Sequence, residues 1–362
     1  MRQILFFIFN MILFLNAYAI DIYGIDQQES NKILKKYAKE FTAIDKGLQQ
    51  LSDTHQLDSA TTSIDNLRRI KRRVLKNMIK ENGYLYAQIQ AVVYPENNAV
   101  CTTIEIINKN QPERMRFLND TSEKINDHKK IKHAPDLIDD MINYEAIGMR
   151  LILNHELKTY SSCPVYHCAE GFGHPQLKPY LRVFNTGVIQ QKALVLNTLN
   201  QDKNPERRAA AAFLVGHFSD PREIIKVLSV HVNDRDDGVR NNVMRVIGTT
   251  ILKAKISDID PRPFLDALDS PYTTDRNKAL GILSVTSDMP SAHQLILKEG
   301  GQRLLALLRL KQPNNHDFAY LILKKLSHKD FGSTNVAAWE AWVSSNTEKI
   351  KITRKNTLGK II

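Results

Sequence analysis

The residues most capable of chemistry lie together in YSSCPVYHCAEGFGHPQLKPY, residues 160–180, where Cys163, His167, Cys168 and His174 fall within twelve positions. Thiols and imidazoles at this density allow three chemistries. Two cysteines five apart in an oxidising compartment form a disulfide. The same cysteines with His167 and His174 form a set of four possible zinc ligands, although Cys-x4-Cys followed by His is not a zinc-finger spacing. A cysteine beside a histidine is also a potential nucleophile, but no oxyanion device or third partner accompanies this one. A redox centre would call for Cys-x-x-Cys. The disulfide is the favoured expectation, and free thiols or a metal set are the alternatives. The third cysteine, Cys101, falls on the polar face of a strand-like segment and is left over.

No other catalytic signal appears. The chain has no Gly-rich phosphate loop, no H-E-x-x-H, no G-x-S-x-G and no EF-hand loop. No cofactor is expected.

The compartment follows from the first residues. Arg2 is followed by an apolar run from Ile4 to Leu15, interrupted by Asn10, and then by Ala17-Tyr18-Ala19. This is the pattern of a cleaved secretory signal over residues 1–19. The expected location is therefore outside the cytoplasm, in a bacterial periplasm. The 362 residues carry a net charge of +11, with 43% hydrophobic and 25% charged residues. These values fit a folded chain and favour anionic partners. Export turns that preference from nucleic acid toward envelope surfaces and envelope proteins.

The elements that must position the Cys/His loop are mostly helices. In NPERRAAAAFLVGHFSDP, residues 204–221, four successive alanines follow Arg208, and Gly216 lies eight residues after it. NDRDDGVRNNVMRVIG repeats the arrangement at Arg240 and Gly248, 32 residues on. SPYTTDRNKALGILS repeats it at Arg276 and Ala279 after 36 more, and His316 holds the equivalent place after another 40. Second helices fill the intervals. They begin at Pro221, near Pro261 and at Pro290, as proline in a first helical turn predicts. Gly300-Gly301 reads as a break in the last of them.

The repeated marks resemble HEAT repeats, in particular the short kind first noted in phycobilisome-lyase-like proteins. Asn204-Pro205, Arg208, Ala210-Ala211 and Gly216 match its pattern. So do Asp236, Val239-Arg240 and Gly248, then Ser270-Pro271, Arg276 and Ala279. The resemblance covers about residues 185–345 and implies an α-solenoid. It also implies that Arg208, Arg240 and Arg276 bind an acid or carbonyl of the adjacent layer. Asp236, four residues before Arg240, is one expected partner. Trp339 and Trp342, three apart on one helical face, are read as a cap over the last layer.

Ahead of the repeats, SIDNLRRIKRRVLKNMIKENG spaces Leu67, Ile70, Val74 and Met78 as a helix. Its basic remainder, with Arg68, Arg69, Arg72 and Arg73, is a solvated face or a docking face for an anionic surface. YLYAQIQAVVY alternates as a strand, with Leu85, Ala87, Ile89, Ala91 and Val93 on one side. After a turn at residues 95–98, AVCTTIEIIN forms a second strand. The order strand, helix, helix, strand, strand resembles a POTRA module of envelope assembly proteins, which implies reception of a partner strand at a sheet edge.

The expected organisation is a signal over 1–19, an α+β module over 20–110, a polar linker over 111–135 and a helical lead-in with the Cys/His loop over 136–184. HEAT-like repeats follow over 185–346 and a frayed basic tail over 347–362. The expected fold class is mainly α, and the expected role is an exported, non-catalytic adaptor for another envelope protein. The alternatives are a metal- or thiol-dependent enzyme at the loop and an envelope-attachment protein.

Overall fold

The structure, a computed structural model, describes residues 20–54, 61–94, 99–118, 135–154, 156–157 and 163–358. The expected signal, the hairpin turn at 95–98, the linker from 119 to 134 and the last four residues lie outside these. No described helix is long and apolar enough to cross a membrane.

The chain is mainly helical, with one small mixed sheet. It begins with β1 (Ile20–Tyr23), α1 (Gln27–Lys36), α2 (Ala38–Thr54), α3 (Thr61–Asn82), β2 (Tyr86–Tyr94) and β3 (Ala99–Ile107). The sheet order is β1-β3-β2. β1 runs parallel to β3, with Ile22 opposite Ile104, and β2 runs antiparallel to it, with Ile89 opposite Ile104. Gly83 ends α3 at φ +68, a left-handed cap open to glycine at no steric cost, and its N–H returns to the Ile79 carbonyl.

One face of this sheet holds Ile22, Ile89, Ile104 and Ile106, which close a core with Ile33, Phe41, Val74 and Met78 from the three helices. The strand expected to bury Leu85 and Val93 on that face leaves both exposed. Its apolar face is covered only at Ala87 and Ile89.

The helices that follow are α4 (Leu137–Leu153), α5 (Lys178–Gln190), α6 (Lys192–Gln201), α7 (Pro205–Val215), α8 (Pro221–Ser229) and α9 (Asp237–Ala254). After them come α10 (Arg262–Ala267), α11 (Thr273–Thr286), α12 (Pro290–Leu308), α13 (Pro313–Ser327) and α14 (Val336–Leu358). α4, α7, α9, α11 and α13 each pack on the next, while α8, α10 and α12 lean on α9, α11 and α13 respectively. The alanines of α7 are explained by its neighbours. It touches α4, α5, α6, α8 and α9, and Ala210, Ala211 and Ala212 are fully buried among them. Small side chains let helices approach from several sides at once.

Three expectations are corrected here. α12 runs unbroken through Gly300-Gly301, because a Cβ at either position would strike Leu265 (2.6 Å) or Val343 (2.9 Å) of neighbouring helices. These glycines permit close packing. The polar linker does not begin at 111, since Pro112–Phe117 forms a 3-10 turn that buries Arg114 and Phe117. The basic tail does not fray at 347, since α14 continues to Leu358.

The second face of the sheet is covered by the helical rows. Tyr23, beside Ile22 on β1, points the other way and joins the core of the helices. Its hydroxyl donates to the Leu268 carbonyl at 2.9 Å. Asp21 accepts the N–H groups of Lys311 and Gln312, ahead of the positive end of α13. Gln90 donates to the Pro271 carbonyl and accepts from the Thr273 N–H. Arg114 donates to the Asp269 carbonyl. The face that alternation marks as polar is thus an internal interface.

Candidate functional site

The three repeat arginines make one recurring contact. Arg208, Arg240 and Arg276 each donate to the carbonyl six residues earlier, on Asp202, Asp234 and Ser270. Each also binds a carboxylate farther away. Arg208 pairs with Asp234 at 2.8 Å, and Arg240 with Asp275 at 2.8 Å. Asp236, the partner expected for Arg240, instead caps α9 by accepting the Val239 N–H. Arg276 reaches out of the helical rows altogether and takes Glu105 of β3 in a two-pronged pair at 2.5 and 2.8 Å, both side chains fully buried. Its guanidinium also lies 4.2 Å from the Tyr23 ring centre. At the fourth mark the His316 ring bonds the Leu308 carbonyl. These residues are structural ties.

Cys163 and Cys168 are joined by a disulfide. A loop this short gains about 2 kcal/mol in the chain-entropy picture. With both sulfurs bonded to each other, the alternative metal set of Cys163, His167, Cys168 and His174 does not hold. His167 is buried, stacked on Phe213 with ring centres 4.9 Å apart, and its Nδ1 meets Thr249 Oγ1 at 3.2 Å. His174 accepts the Gln176 N–H on its own exposed turn. Cys101 is free and half-buried, and burial pushes its thiol up to about 11, which keeps it from acting as a thiolate.

The disulfide loop walls a cleft of about 520 Å³ whose other sides are α9, α11 and Phe318 of α13. Lys253 ties the loop down by donating to the carbonyls of Cys163 (3.1 Å) and Val165. Arg245 and Lys278 line the cleft from facing helices, both half-buried. Burial, aided by Arg245, brings the Lys278 ammonium down to about 8. Burial, with Glu170 nearby, brings the Glu145 carboxyl up to about 7 against the pull of Arg245. Reading motifs along the sequence missed Arg245 and Lys278. Arg245 had a signal, a lone cation inside the apolar helical run Val243-Met244-Arg245-Val246-Ile247, whereas Lys278, in Asp275-Arg276-Asn277-Lys278, had none.

Burial holds the His167 imidazole down at about 3 and that of His217 at about 4. In the unfolded chain both titrate near about 6.5. Acid therefore protonates the unfolded chain first, and stability falls as the pH drops from about 6.5 toward about 4, by up to about 1.4 kcal/mol per pH unit for each ring. Thermal unfolding across that range is expected to show this slope, and His167→Phe is expected to flatten it.

The basic face on α3 is exposed at Arg68, Arg69, Arg72 and Arg73, with Arg68 near Asp65 in a solvated pair worth little. Lys71 is not part of it, for its ammonium turns inward to the Ile89 carbonyl. Trp339, on α14, is fully buried, and Trp342 on the same helix is partly covered beside it.

Compared with protein-family models, curated proteins and solved structures, the chain matches none of them.

Proposed function

We propose that this chain is an exported, non-catalytic scaffold of HEAT-like helix pairs that binds another envelope protein, in the periplasm of a bacterium. Cross-layer ties at Arg208 and Arg240 support the solenoid reading, and the Cys163–Cys168 disulfide is compatible with export. The two ends of the row differ, and that difference carries the proposal. The last layer is closed by Trp339. The first helix of the row, α4, exposes Met149, Ile152 and Leu153 at 52, 41 and 70%. These three lie one helical turn apart on a single face, and Ile189 at the end of α5 is 79% exposed. An apolar stripe of this kind on the first helix of a stacked row, exposed among the described residues, suits contact with a second protein.

The test is a photo-crosslinking residue at position 153 of the exported protein in intact cells, with mass spectrometry of what it captures. One reproducible envelope protein is expected, absent when the crosslinker sits at exposed Lys226 and lost when Met149 is also changed to Asp. Recovery of the protein free, with no capture at 153 or 189, sinks the reading.

A further inference from the structure

The cleft beneath the disulfide loop is not needed by the scaffold role, yet it has the make-up of a ligand site. Its volume of about 520 Å³ lies in the range of small-molecule pockets. Its apolar surface comes from Met244, Leu252, Ile282, Val285 and Phe318. Besides Lys253, which is tied to the loop, its charged heads are Arg245 on α9 and Lys278 on α11, both cations. Among the described residues neither of these forms a hydrogen bond or an ion pair. Arg245 lies over the Phe213 ring at 5.3 Å. Two acids, Glu145 and Glu170, feel its charge without pairing with it, and burial raises the carboxyl of each, Glu145 to about 7.

A half-buried cation without a partner is costly, and an anion entering from solvent would lower that cost. Of the remaining polar groups on the walls, the His167 Nε2 is buried without a partner, and three others are engaged. Thr249 Oγ1 bonds the Arg245 and Val246 carbonyls, and Ser284 Oγ bonds the Gly281 carbonyl. Lys253 occupies the loop carbonyls of Cys163 and Val165. A peptide lying here would find one spare ring nitrogen and leave most of its own backbone donors and acceptors unmatched, each at a cost. A hydrocarbon chain has no such groups.

We propose that the cleft binds a long-chain carboxylate, with the acyl chain along Met244, Ile282 and Phe318 and the head held between Arg245 and Lys278. The experiment is calorimetric titration of the purified protein with hexanoate, dodecanoate, hexadecanoate and the uncharged alcohol dodecanol. Saturable binding is expected for the two longer carboxylates, with hexanoate and dodecanol at least about tenfold weaker. The double variant Arg245→Met with Lys278→Met is expected to bind dodecanoate no better than dodecanol. Gly281 lines the same cleft with open space where a side chain would project, so Gly281→Leu should fill it without disturbing the fold. That variant is expected to unfold at the parent temperature and to bind none of these ligands. No saturable binding by any chain length, equal affinity for dodecanol and dodecanoate, or binding that survives Gly281→Leu each overturns the proposal. So does binding of an acidic, apolar peptide in preference to the carboxylates. These outcomes leave the crosslinking result at α4 untouched.

Discussion

Glu105→Ala is expected to destabilise the protein by about 3–5 kcal/mol, measured by denaturant unfolding. Both heads of the Glu105–Arg276 pair are fully buried, so removing the carboxylate leaves a guanidinium with no solvent to turn to. The Ser270 carbonyl, the Asn315 Oδ1 at 3.4 Å and the Tyr23 ring remain as its partners, and none of them carries a charge. The nearby cation of Arg114, whose Nη1 bonds the Ile106 carbonyl, adds repulsion. The double replacement Glu105→Leu with Arg276→Met removes both charges and should recover most of the loss, since buried pairs are often neutral against apolar residues of like volume. Recovery would separate the cost of a stranded charge from the cost of losing the contact. The pair also joins the sheet to the helical rows, so hydrogen exchange at β3 should quicken in Glu105→Ala before exchange at α9 does.

The helical rows were legible from local signals. Arginine recurring ahead of an apolar run, with proline or an Asx cap in front, marks helix starts through chemistry that acts within one turn: Asn204, Asp220 and Asp236 each accept an N–H of the helix they precede. The cysteine pair was legible for the same reason, since both partners lie on one short loop. The cover on the second face of the sheet was not. Alternation along β3 groups Thr103 with Glu105 on one face but is silent on what lies against it. Glu105 meets Arg276 at a separation of 171 residues, and no local rule reports that. A carboxylate flanked by Ile104, Ile106 and Ile107 was the available hint, because a charge within an apolar strand needs a partner when buried. Gly300-Gly301 failed in the opposite sense. The local rule reads two glycines as a break, but Leu265 and Val343 need the space the missing side chains leave, and tertiary packing overrides propensity.

Trp339→Ala is expected to cost about 3–5 kcal/mol, and the loss should begin at one end of the molecule. Trp339 is fully buried, with Phe331, Tyr320 and Trp342 set edge-on at 4.8, 6.1 and 6.3 Å between ring centres. Its indole N–H donates to the Gly332 carbonyl at 2.8 Å and so pins the turn that leads into α14. Alanine there opens a cavity and frees that carbonyl together. α14 packs against α12, through contacts that include Val343 over Gly301, and covers the last layer from one side only. Helices in the middle of the row have neighbours on both sides and lose less when one contact goes. Limited proteolysis of the variant should therefore cut first near Gly332, while α7, α9 and α11 stay protected. Trp339→Phe keeps most of the buried ring and loses the hydrogen bond, and should cost about 1–2 kcal/mol. If both variants melt as one unit with the parent's cleavage pattern, α14 belongs to the same cooperative unit as the rows and does not act as a separable cap.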